Sequence, residues 1–155
     1  MTKIAPLLFI TGIFILGFTA PAMAGNGVVT VKSSNSVKKT IDILESTLKK
    51  KGIGIIARLD HRANGARVNE DLRPTTILVF GNPRLGTPLM RENQTIGIDL
   101  PMKALAWEDE KGDVWLSYND PAYLAKRHNI KNNDPIIKKM SGALAKFTAI
   151  ATAPQ

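Results

Sequence analysis

Pro74-Thr75-Thr76-Ile77-Leu78-Val79-Phe80-Gly81-Asn82-Pro83 is the stretch that decides the fold. Thr75 to Phe80 is β-branched or bulky almost throughout, the composition of a strand. Pro74 starts it, where a missing N–H is tolerated, and Gly81-Asn82-Pro83 stops it. Downstream, Thr87-Pro88 has the form of an N-cap followed by an N1 proline and predicts a short helix from Pro88 to Asn93. Gly97 to Pro101 reads as an irregular crossing. Lys103–Glu108 and Val114–Tyr118 are the arms of a hairpin closed by Asp109-Glu110-Lys111-Gly112, with Gly112 at the left-handed position and Trp107 and Trp115 on neighbouring strands. Asp120-Pro121 repeats the N-cap and N1 device and predicts a helix from Pro121 to His128.

Upstream, Ile53–Leu59 is a strand, apolar on both faces apart from Gly54 and Arg58, and it ends at Asp60-His61. The polar segment Arg62–Arg73 reads as loop plus a short helix. Val28, Val29 and Val31 begin a further strand. Two longer amphipathic helices flank the β-rich centre. Val37, Ile41, Leu44 and Leu48 recur at helical spacing before Gly52, which closes that helix. Asn133-Asp134-Pro135 opens the second, which runs from Pro135 to Ala151 with a stripe of Ile136, Met140, Leu144, Phe147 and Ala151. Strands that cover one face with two long helices give an α+β two-layer sandwich with an antiparallel-rich sheet. If the hairpin arms leave the opposite face open, a second copy is the natural cover.

The N-terminus predicts export. Lys3 gives a positive start, Pro6 to Phe18 is almost wholly apolar, and Ala22-Met23-Ala24 is a small-x-small cleavage site. The apolar run falls short of the roughly 20 residues that span a bilayer. The expected organisation is a secretory signal peptide over 1–24 and one domain over 25–155, periplasmic or secreted, with no stable membrane insertion after cleavage. Cleavage there leaves 131 residues, enough for one self-sufficient core. The chain has no cysteine, which excludes thiol catalysis, thiolate metal sites and redox exchange. The whole chain carries a net charge of +8, and removing Lys3 leaves 20 basic against 13 acidic residues. The basic residues are scattered. Lys49-Lys50-Lys51, the longest run, ends a helix, where cations oppose the negative end of its dipole. A solvated face plus a helix cap accounts for this pattern better than an anion-binding patch, and nucleic acid is not an expected partner of an exported chain.

Read together, Leu72-Arg73-Pro74 through Asn82-Pro83, Gly86-Thr87-Pro88-Leu89-Met90, Gly97-Ile98-Asp99-Leu100-Pro101-Met102-Lys103-Ala104-Leu105 and Trp115 to Leu124 resemble the family catalogued as domain of unknown function 302. The resemblance is strong over 53–128 and looser over the flanking helices. It implies a TATA-binding-protein-like α+β fold of order β-α-β(4)-α and implies homodimers. It supplies no reaction and no catalytic role for any residue.

Chemistry-bearing residues are few. His61 ends a strand and His128 sits at a helix C-terminus. His61 with Asp99, or His128 with Asp120, are the acid/base pairs the composition allows. A metal would need three or four ligands, and His61, His128, Asp60, Asp99 and Asp120 match no local spacing. Histidine with Met90, Met102 or Met140 is the haem or copper alternative, but Met140 belongs to an apolar stripe. No metal and no cofactor is expected. No Gly-x-Ser-x-Gly elbow is present.

Two functions follow as expectations. The first is a homodimeric binding module for a small anionic or amphipathic ligand, with Arg73, Asn82, Asp99, Lys103, Tyr118 and Asn119 gathered in one cleft. The second is an enzyme in which His61 and a nearby carboxylate, Asp99 being the candidate, transfer a proton.

Overall fold

The computed structural model describes residues 22–24 and 26–155. The N-terminal charge and apolar run of the predicted signal peptide lie outside the described residues. The elements are β1 (Ala22–Ala24), β2 (Val28–Ser33), α1 (Val37–Lys50), β3 (Gly54–Asp60), α2 (His61–Ala66), β4 (Thr75–Gly81), α3 (Pro83–Glu92), a 3₁₀ turn (Gln94–Ile98), β5 (Met102–Glu108), β6 (Val114–Asn119), α4 (Pro121–Arg127) and α5 (Asp134–Thr152). All strands pair antiparallel in one sheet of order β1-β2-β6-β5-β4-β3. Apart from the three-residue β1, this is the expected α+β sandwich of order β-α-β(4)-α.

Strand alternation decides what the two long helices cover. Thr76, Leu78 and Phe80 of β4, Met102, Ala104 and Ala106 of β5, and Val114, Leu116 and Tyr118 of β6 point to one face and are buried. Ile41, Leu44 and Leu48 of α1 are fully buried, and Ile137, Met140, Leu144, Phe147 and Ala151 of α5 are buried with them. Ile137, three residues before Met140, begins the buried stripe of α5, and Ile136 beside it is only partly buried against the core. Ser36 caps α1 by accepting from the Lys39 N–H, as its sequence position implies.

Among the described residues no helix lies on the opposite face of the sheet. Cross-strand register places Leu59, Ile77, Leu105, Ser117 and Thr30 in one row across it. Trp107 and Trp115 form the adjacent row, stacked with ring centroids 6.3 Å apart, and the Trp107 indole N–H donates to Ser117 Oγ. The stacked pair confirms the hairpin register read from Gly112, which holds φ at 78°.

Three local expectations are corrected. Asn82, not Thr87, caps the helix after β4. Its Oδ1 accepts from the Arg84 N–H, Pro83 takes the first position, and Pro88 falls inside the helix. Asn82-Pro83 is itself the N-cap and proline device, and it comes first. β3 is an edge strand with Ile56 and Leu59 largely exposed, so its apolar character is not burial on two faces. A bulge between Ile55 and Ala57, and Arg58 reaching Asp42 and Glu45 of α1, shield that edge. Asn133 caps α5 without a side-chain bond, because its amide donates to Glu92 instead.

Gly27 packs directly against the Tyr123 ring of α4. It holds φ at 79°, and a Cβ there would lie 2.1 Å from Cγ of the Tyr123 ring on α4. Gly27→Ala is expected to destabilise the protein by about 2–4 kcal/mol through strain and overpacking. Urea unfolding checks this, and a loss under about 0.5 kcal/mol would mean that Tyr123 moves freely.

Candidate functional site

At the end of the sheet where β4 finishes and β5 begins, α3 and α5 do not close on one another. The gap is a cavity of about 550 Å³. Phe80, Gly81 and Met102 form its floor, Leu85, Gly86 and Met90 one wall, and Met140, Ala143, Leu144 and Phe147 the other. Asn82 and Thr87 are the polar side chains among the lining residues. Among the described residues no charged one lines it. A buried charge without a partner is strongly disfavoured there, so the cavity suits hydrocarbon. Its volume lies within the usual range of small-molecule pockets, about 300–1,000 Å³.

The walls come from local sequence. Gly81 lets the Pro101 ring close over the strand end, where a Cβ would approach the proline Cβ to 3.2 Å. Leu100 packs beside Gly86 of α3. The Leu100-Pro101 bond is cis. Three of the chain's five methionines, Met90, Met102 and Met140, face the cavity from three different elements. Unbranched thioether side chains repack around guests of varied shape.

Behind the Leu100–Met102 wall lies a polar clamp. Asn93 Nδ2 donates to the His128 carbonyl at 2.8 Å, which turns its Oδ1 towards Thr95. Thr95 donates both N–H and hydroxyl to that oxygen, so its own oxygen is left to accept from His128 Nδ1, 3.0 Å away. The other ring nitrogen, Nε2, faces Asp99 Oδ2 at 2.6 Å. Arg127 Nη1 lies 3.4 Å from Asp99 Oδ1, and Lys103 Nζ donates to the Asp99 carbonyl. The His128 and Asp99 side chains are 8% and 12% exposed, so the pair joins α4 to the cavity wall with little solvent competition.

A second strap holds α5 in place. The Glu92 carboxylate accepts from the N–H groups of Lys131 and Asn132 and from the amides of Asn132 and Asn133. The Lys131 N–H, the largest influence, holds that carboxyl below its ordinary value of 4.5. A group whose folded value is depressed contributes stability above its unfolded value and loses it as pH falls. The difference in unfolding midpoint between the wild type and Glu92→Gln should therefore be constant near neutrality and shrink below pH 4.5. A difference unchanged into that acid range would remove Glu92 from this role.

The six ligand residues expected from sequence do not share one cleft. Asn82, Asp99, Lys103 and Asn119 lie at the cavity end of the sheet, as the pairing of Phe80 with Met102 and Ala104 with Tyr118 requires. Arg73 lies at the far end, where its Nε donates to the Glu108 carbonyl. The antiparallel register puts residues before β4 opposite the end of β5, and sequence proximity to the turns concealed this. Tyr118 points into the core, where burial above all raises its hydroxyl pKa. His61 opens α2 beside Asp60, which pairs with Thr76, and so lies at the far end from Asp99. The histidine that Asp99 meets is His128, not His61. Asp120 is engaged as the cap of α4. No cluster of three or more His, Cys, Asp or Glu side chains suited to a metal occurs among the described residues.

Comparison with known proteins bears on this arrangement. The sequence pattern of the family described as "Domain of unknown function DUF302" matches residues 29–147. A "Fluoride-specific ion channel FluC 1" of Brucella suis biovar 1 (strain 1330) is 44% identical over 136 residues, covering 83% of this chain and 54% of that protein. The protein of the same name from Brucella abortus biovar 1 (strain 9-941) is 44% identical over 136 residues, covering 83% of this chain and 50% of that protein. The chain thus spans about half the length of the curated relatives it matches. A solved structure, "uncharacterized conserved protein DUF302 from Bacillus stearothermophilus", superimposes with a TM-score of 0.64 at 25% identity, covering 81% of this chain and 95% of that one.

Proposed function

The chain belongs to the DUF302 family, whose description assigns no activity, and we propose that it is a binding module that takes a small apolar or amphipathic ligand between α3 and α5. The observation that carries this reading is the cavity of about 550 Å³ with no charged lining residue among the described residues. The test is displacement of a hydrophobic fluorophore, 1-anilinonaphthalene-8-sulfonate, from the protein. One saturable site is expected, sensitive to Leu144→Lys or Met140→Lys and indifferent to Arg73→Ala. Binding that follows Arg73 and ignores α5 would contradict the reading.

Two further parts of the proposal concern assembly and address. The open sheet face with Ile77, Leu105, Trp107 and Trp115 supports a homodimer in which a second copy covers it. Leu105→Lys at the middle of that face is expected to convert a dimer into a monomer of 16.9 kDa or less in light scattering. A wild type that is monomeric at micromolar concentration would end this part. The Lys3, apolar and Ala-Met-Ala pattern supports export with cleavage after Ala24. Cleavage there would remove β1 and leave five strands. Intact mass of protein recovered from its host decides it.

The channel named for the Brucella proteins is not carried to this chain. The 136 aligned residues necessarily take in most of 29–147, so we read the shared part as the DUF302 domain. Among the described residues no helix is long and apolar enough to cross a membrane.

A further inference from the structure

We infer that the occupant of the α3–α5 cavity is a single-chain amphiphile with one anionic head, its tail among the methionines and its head at the mouth. This rests on the binding reading above and specifies its ligand. The tail follows from the lining. A peptide or a heteroatom-rich ring would bring hydrogen-bonding groups that Asn82 and Thr87 alone cannot satisfy, whereas a hydrocarbon chain brings none. Met90, Met102 and Met140 adapt to a flexible chain better than branched side chains do.

The head follows from charge. Thr87 and Ala143 line the cavity from α3 and α5 and are exposed or half-exposed, so they mark its two lips. On a helix, residues three and four apart are neighbours. Arg84 and Arg91 therefore flank Thr87, and Lys139 and Lys146 flank Ala143. All four are exposed cations, and none forms an ion pair among the described residues. Other exposed cations, Lys50, Arg62 and Lys138 among them, also lack an acidic partner among the described residues, so these four are distinguished by their place on the two lips of an apolar hollow. Glu92, the acid nearest on α3, is engaged by the 131–133 loop. An apolar hollow rimmed by four unpaired cations fits a carboxylate or phosphate head. A free fatty acid and an anionic lysophospholipid share that chemistry.

The experiment is calorimetric titration of the full chain with palmitate, hexadecanol, lysophosphatidylglycerol and hexadecyltrimethylammonium, each below its micellar concentration. Palmitate or lysophosphatidylglycerol should bind at least about tenfold more tightly than hexadecanol, with the cationic chain weakest. The tighter of the two anions identifies the source. Arg84→Glu with Lys146→Glu should remove the preference for anions and leave hexadecanol binding unchanged. Equal binding of all four, or a preference that survives the double charge reversal, overturns the anionic head while leaving the apolar cavity intact. Failure of every chain to bind overturns both. These surface substitutions leave the core untouched, so an unchanged melting temperature confirms that the comparison is fair.

Discussion

Replacing Asp99 by alanine is expected to lower stability by about 2–4 kcal/mol, the largest effect of any polar substitution in the fold. The loss comes from several sources at once. His128 Nε2 would be left facing a gap with its ring only 8% exposed, and Arg127 would lose its acceptor. The backbone of Asp99 also ends the 3₁₀ turn, and the next three residues form a wall of the cavity. A loosened clamp therefore weakens ligand binding as well as folding. Asp99→Asn keeps an oxygen for His128 and should recover at least half of the loss. Thermal unfolding measures it, and a decrease of roughly 10 °C fits a domain of this size. If alanine costs less than about 0.5 kcal/mol, the carboxylate is not the anchor.

Filling the cavity mouth should have the largest effect on function. Ala143→Trp places an indole from α5 across the gap towards Met90 and Leu85 on α3. Position 143 is only half-buried, so the indole can enter the hollow without displacing the core beneath it. Saturable binding of any apolar chain should fall by at least about tenfold, with stability unchanged or raised. The control is Ile98→Trp, on a residue 75% exposed outside the lining, which should leave binding unaltered. Displacement titrations of the two variants check this. Equal losses in both would show that the ligand sits elsewhere.

The fold was legible because its signals are local. The run Thr75–Phe80, the Gly112 hairpin and the helical spacing of Val37, Ile41, Leu44 and Leu48 each act within a few residues, and each forms the element its pattern implies. Boundaries failed where two devices competed. Asn82-Pro83 and Thr87-Pro88 both look like helix starts, and only the first can be one. The candidate site was poorly legible because its parts are far apart in sequence. Its walls come from residues 53–56, 80–90, 100–102 and 140–147. Nothing in a single element indicates that α3 and α5 stand apart. Polar turn residues suggested a cleft, but strand direction sent Arg73 to one end and Asn82 to the other. The pairing of Asp99 with His128 was hidden for the same reason, since 29 residues separate them. One signal was available. Every methionine after residue 24 faces the same hollow, although only Met140 was readable as part of an apolar stripe.

The claim beneath all of these is that the space between α3 and α5 holds an apolar chain. Protein labelled with ¹³C at the methionine methyls tests it most directly. On titration with palmitate, the signals of Met90, Met102 and Met140 should shift together, saturate, and show contacts to the chain's methylene protons. If those three stay fixed while the indoles of Trp107 and Trp115 respond, the ligand binds the open sheet and the cavity account is wrong.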